Sequence, residues 1–167
     1  MKRVEILCCA LLLALCSSIN VEGQAESSLA SRVTEVLKTK EPGWKWVAAI
    51  ESGRVPLVPS EKRVLVAIWE SPQVSGISES VHLSIYEVEN PGQAMEWLRP
   101  VRSKQVAAGW QISIYRIGDE GYLARYQDGK RFEIQFRSGS IVGKIAGDNL
   151  SRVREFAKYI VDQISAQ

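Results

Sequence analysis

Tyr122 to Phe136 reads YLARYQDGKRFEIQF, two runs of alternating side chains on either side of Asp128-Gly129. An Asp-Gly pair tolerates the positive φ angles that a two-residue hairpin turn requires at both central positions, so the stretch is expected to be a tight β-hairpin. Phe132, Ile134 and Phe136 fall on one side of the second strand, and Glu133, Gln135 and Arg137 on the other. The alternation assigns the first set to the core and the second to water. A further turn at Ser138-Gly139 leads into Ile141–Ile145, IVGKI, so that three consecutive strands make a meander.

Beyond the meander, Asp148 or Asn149 is placed to cap a helix. Leu150, Val153, Phe156, Ala157, Ile160, Val161 and Ile164 follow at helical spacing and form one apolar stripe. A stripe that wide must lie across the sheet.

Working backwards, Asn90-Pro91 starts a second helix over 91–108, with Ala94, Trp97, Leu98 and Val101 as its apolar stripe. Pro100 is expected to kink this helix or divide it. Gly109-Trp110 ends it, and Gln111–Tyr115 alternates as a strand. The order helix, glycine, tryptophan, strand occurs earlier too. There Leu29, Val33, Val36 and Leu37 line one face of a helix over 27–40, Pro42-Gly43 stops it, and Trp44-Lys45-Trp46 begins an extended segment. The flanking lengths differ, which argues against a true repeat. Each tryptophan is expected at the seam where a helix packs back on the sheet. Trp44 and Trp46 lie two apart in a strand and share a face, which is expected to face the core rather than serve as a binding platform.

Val64–Glu70, VLVAIWE, is almost wholly apolar and is expected to be a central strand buried on both faces. Ser80–Glu89 alternates, with Val81, Leu83 and Ile85 opposite His82, Ser84 and Tyr86. The segment 54–60 holds Pro56 and Pro59 and is expected to be an extended loop at an edge.

Strands in runs with helices between and after them define an α+β fold, a two-layer sandwich of a mainly antiparallel sheet with its helices on one face. In architecture this resembles PsbP-like sandwiches, an analogy that carries no function. The C-terminal third, GDEGYLARYQDGKRFEIQFRSGSIVGKIAG followed by an amphipathic helix, resembles the ending of exported bacterial proteins of uncharacterised function. In those, Gly-Asp-Glu and an aromatic residue precede a Phe-Arg-x-Gly hairpin, here Gly118-Asp119-Glu120, Tyr122 and Phe136-Arg137-Ser138-Gly139. The resemblance implies an export-associated bacterial domain.

The first residues point the same way. Lys2 and Arg3 precede an apolar run from Ile6 to Leu15, and Gly23 and Ala25 are spaced like a signal-peptidase site. Residues 1–25 are therefore expected to be a signal peptide and 26–167 a single secreted or periplasmic domain. A retained anchor is the weaker reading, because the run is too short for the roughly 20 apolar residues a membrane span needs. Lipidation at Cys16 is weaker too, because Leu15 is bulkier than the residue such a site carries before its cysteine. Cys8, Cys9 and Cys16 all precede Ala25, so cleavage leaves a chain without thiols and hence without disulfides.

Net charge is +2, with no long run of like charges, so no nucleic-acid partner and no stable membrane span after cleavage are expected. One histidine and no mature thiol do not make a transition-metal site, no phosphate-binding glycine loop is present, and no cofactor or metal is expected. His82 is an acid or base only if Glu120 or Asp119 joins it in a cleft; Glu120 also stands out because the resemblance repeats it. Flat amphipathic rings often line small-molecule grooves. The candidate ligand-binding set is Trp69, His82, Tyr86, Tyr115 and Glu120, with Trp69, Tyr86 and Tyr115 lining a pocket closed by the helix 91–108. The leading expectation is an exported non-catalytic binding or structural domain acting through an exposed sheet face or edge on an unidentified partner, a protein or a small ligand. A small-molecule carrier is the alternative, and an enzyme using His82 is a third.

Overall fold

The hairpin at Asp128-Gly129 joins β5 (Glu120–Arg125) to β6 (Phe132–Ser138) in a computed structural model that describes residues 28–55, 58–73 and 78–166. Its connection is longer than the two-residue turn expected. The Tyr126 N–H bonds the Arg131 carbonyl at 2.9 Å, and within that loop the Gly129 N–H closes on the Tyr126 carbonyl at 2.9 Å. Asp128 Oδ1 accepts from the Lys130 N–H at 2.8 Å, and Gly129, at φ 69°, turns the chain back. Loops of this length are built on an ordinary turn followed by one left-handed residue, and glycine adopts that geometry without strain.

From β6 the chain turns at Gly139 into β7 (Ile141–Gly147), completing the meander. The expected phase holds on the core side: Ile134 and Phe136 are fully buried and Phe132 packs at the rim. Across them lies α3 (Leu150–Ser165), whose Val153, Phe156, Ala157, Ile160, Val161 and Ile164 are buried. Each of these side chains except the smaller Ala157 contributes roughly 1.5–3 kcal/mol on leaving water. Asn149 caps this helix, its Oδ1 accepting from the Ser151 N–H at 3.0 Å.

The other elements are α1 (Leu29–Lys40), β1 (Lys45–Val55), β2 (Val58–Glu70), β3 (Ser80–Glu87), α2 (Pro91–Ala107) and β4 (Gln111–Ile114). The strands form one seven-stranded sheet in the order β1-β2-β3-β7-β6-β5-β4, and every neighbouring pair is antiparallel. Of segment 54–60, expected as a loop, the described residues instead belong to strands: Val55 ends β1, Val58 opens β2, and the two are register partners, while 56 and 57 lie outside the described residues.

The antiparallel α+β sandwich is thus the fold. Its helices, however, divide between the faces. α1 and α3 share one face, over Leu65, Ala67, Trp69, Leu83, Ile85, Ile134, Phe136 and Ile145. The opposite face receives α2, whose Ala94 and Leu98 pack with Val142, Tyr122 and Ala124. This placement changes two expectations. Gln135, assigned to water, is 1% exposed because α2 roofs it. VLVAIWE is not central: β2 lies next to the edge, and Val66 and Ile68 are only half-buried beside the buried Leu65, Ala67 and Trp69.

α2 runs unbroken through Pro100. It ends in a Schellman cap, with the Trp110 N–H on the Gln105 carbonyl and the Gly109 N–H on the Val106 carbonyl, each at 3.0 Å, and Gly109 at φ 83°. The Trp44-Lys45-Trp46 pair behaves as expected: Trp44 stacks 5.1 Å from Phe156, Trp46 meets Trp69 edge-on at 4.0 Å, and Lys45 is exposed on the other side. Among the described residues no helix is long and apolar enough to cross a membrane. The leader assigned to 1–25 lies outside the described residues.

Candidate functional site: a groove beneath α2

Because α2 rises from the sheet between β3 and β4, it leaves a groove between its own inner flank and the strands β3, β7 and β6. The groove holds about 410 Å³. Small-molecule sites fall in the same size range. Tyr86 from β3, Trp97 and Val101 from α2, and Trp110 just past its cap form apolar walls. Tyr86 and Trp97 stand 6.4 Å apart between ring centres, and Trp110 is braced edge-on by Tyr126 at 5.1 Å.

Its floor is polar. The Tyr122 hydroxyl donates to Gln105 Oε1 at 3.0 Å, and Gln105 Nε2 donates to Glu133 Oε2 at 2.6 Å. Gln135 Nε2 donates to the same carboxylate oxygen at 3.2 Å. Burial, with the Glu133 charge adding to it, pushes the Tyr122 hydroxyl far above the ordinary tyrosine value, so it stays a donor at any physiological pH. Every donor in this chain therefore points toward Glu133. One group is left over: Gln135 Oε1 is buried and accepts no hydrogen bond. Lys144, the register partner of Gln135 on β7, and Lys104 on α2 also line the groove, and neither has an ion-pair partner among the described residues.

Glu133 and Lys144 also border a second, charged hollow of about 470 Å³ toward the hairpin tip, with His82, Asp128, Lys130, Arg131 and Asp148 around it. Its acids and bases balance.

The five candidate residues separate. Tyr86 lines the groove, and His82, exposed on the same strand face, lines the adjoining hollow. Trp69 is 1% exposed on the opposite face, in the main core, because its register partner Val81 belongs to the inward set of β3. Tyr115 also packs against that core, with the Arg154 guanidinium 5.8 Å from its ring centre. Glu120 opens β5, where Arg137 Nε donates to its Oε2 at 3.2 Å. Trp69 and Tyr115 thus do not line this groove, whereas α2 does close the groove that Tyr86 lines. His82 and Glu120 lie three strands and four residues apart by register. At standard sheet spacings that is about 20 Å, too far for a shared proton. Among the described residues no group of three His, Cys, Asp or Glu side chains gathers as a metal site.

Gln105, Glu133, Gln135 and Lys144 went unrecognised from sequence. The one available signal was Gln105 at the end of the α2 stripe, where a polar residue on a buried flank needs a partner. No family model, curated protein or solved structure matches the chain.

Proposed function

We propose that this is a non-catalytic binding domain that holds a small organic molecule in the groove beneath α2. The observation that carries the reading is the meeting of Tyr86, Trp97 and Trp110 over a buried polar floor at Gln105, Glu133 and Gln135. Flat rings supply apolar contact area, and a few fixed polar groups supply orientation. The separation of His82 from Glu120, about 20 Å by register, counts against the acid–base pair considered for catalysis. A secreted or periplasmic setting is part of the same proposal, supported by the leader-like pattern of residues 1–25 and by the resemblance of the C-terminal third to exported bacterial proteins.

A second reading, docking of a protein along the sheet edge, rests on Ile114 of β4, which is 83% exposed; Val106 of α2 is exposed too, at 56%. Edge strands with exposed apolar residues invite such pairing.

Fluorescence of 8-anilinonaphthalene-1-sulfonate tests the first reading. Saturable enhancement at one site is expected with the wild-type protein. Val101→Trp, which fills the groove from α2, abolishes it without lowering the melting midpoint, whereas Ile114→Lys leaves it intact. Enhancement that survives Val101→Trp and disappears with Ile114→Lys would transfer the site to the edge.

A further inference from the structure

Resting on that groove reading, we propose a ligand class: a planar, ring-bearing anion with a hydrogen-bond donor on its ring edge, the donor meeting Gln135 Oε1 and the anionic group meeting Lys144.

The argument starts from the amide. Gln135 is 1% exposed, and its Nε2 is committed to Glu133 Oε2 at 3.2 Å. Turning the amide over would set Oε1 against the carboxylate oxygen, so the donor side faces Glu133 and the acceptor side is the one left without a partner. Buried carbonyl oxygens in folded proteins are nearly always satisfied, and an exception in the floor of a groove marks where something else supplies the donor. The oxygen is shielded from water, so the donor arrives on a ligand as the neighbouring side chains move aside.

Lys144 sets the charge. It is the cross-strand partner of Gln135 and therefore shares its face, with the two Cβ atoms about 5 Å apart. With Lys104 on the facing helix it gives the groove two ammonium groups against one carboxylate, and that carboxylate already accepts from Gln105 and Gln135. An anion is the complement. The flat walls set by Tyr86, Trp97 and Trp110 admit a ring more readily than a branched aliphatic body.

Three probes decide it by calorimetric titration: indole-3-acetate, its N-methyl analogue without the ring donor, and the neutral indole-3-acetamide. The acid is expected to bind the wild-type protein about tenfold or more tightly than the N-methyl compound, because the analogue leaves the buried oxygen unsatisfied. It is expected to exceed the amide by about threefold to fivefold, the scale of a partly exposed ion pair. Gln135→Leu removes the first preference, and Lys144→Met removes only the second. Equal binding of the acid and its N-methyl analogue to the wild-type protein overturns the donor contact while leaving the groove as a site. Equal binding of acid and amide overturns the role of Lys144. Binding of none of the three overturns both this proposal and the reading on which it rests. Should Gln135→Leu fail to fold, the comparison of the three probes on the wild-type protein still decides.

Discussion

The Tyr122 hydroxyl donates to Gln105 Oε1 across a buried 3.0 Å bond that ties α2 to β5. Tyr122→Phe keeps the ring and deletes the donor, leaving the Gln105 oxygen without a partner. A loss of about 1–2 kcal/mol in unfolding free energy is expected, measured by urea titration with an unchanged slope. Because α2 roofs the groove, the same variant is expected to weaken anilinonaphthalenesulfonate binding as well.

Phe136 and Gly143 are register partners, and a methyl group on Gly143 would come within 2.3 Å of Phe136 Cζ. Gly143→Ala is therefore expected to cost about 1–3 kcal/mol through overpacking. Phe136→Leu in that background is expected to recover part of the loss although Phe136→Leu alone destabilises. Additive losses in the double-mutant cycle would show that the two residues do not press on each other.

Arg152 of α3 donates to Glu41 at 3.2 Å, to Glu155 at 2.9 Å and lies 3.4 Å from Glu79, with its guanidinium 5.6 Å from the centre of the Trp44 ring. Burial pushes the Glu41 carboxyl above its ordinary 4.5, and the Arg152 charge works against that rise. The folded protein thus holds this proton to a higher pH than the unfolded chain does, so Glu41 subtracts stability as pH climbs from 4.5 through the raised value. Arg152→Met removes the compensating charge. Its cost is expected to be about 1–3 kcal/mol at pH 7, held down by the partial exposure of Arg152, and distinctly smaller at pH 4, where Glu41 carries its proton. Denaturant unfolding at the two pH values checks the sign.

Gly109 holds the Schellman cap of α2 at φ 83°. Gly109→Ala is expected to cost about 1 kcal/mol or somewhat more, read as a lower thermal midpoint, since a Cβ is strained in that conformation and would also meet the Gln127 side chain.

The α3 stripe and the β6–β7 meander were legible because their apolar periods run without interruption into one partner surface. The far face of the sheet was not. Glu133 and Gln135 alternate with Ile134 and Phe136, and that pattern looks the same whether water or a half-polar helix covers it. α2 buries Ala94, Leu98 and Gln105, a set whose last member is polar, so its stripe does not announce which layer it joins. Trp69 was misplaced for a related reason. VLVAIWE has no alternation from which to read a phase, and the pairing of Trp69 with Val81 is a tertiary fact. Tyr86, by contrast, sits on an alternating strand, and its face was readable from its neighbours.

The β3–β7 pairing is the one junction in the sheet between strands far apart in sequence. β4 to β7 can zip locally, strand upon succeeding strand, but the N-terminal β1-β2-β3 ribbon finds its neighbour only once the chain extends past Gly147. During synthesis the first half of the protein therefore waits with one border unpaired, and closing that long loop makes completion of the sheet a late event. A chain arranged in this way stays open along β3 until β7 has been made.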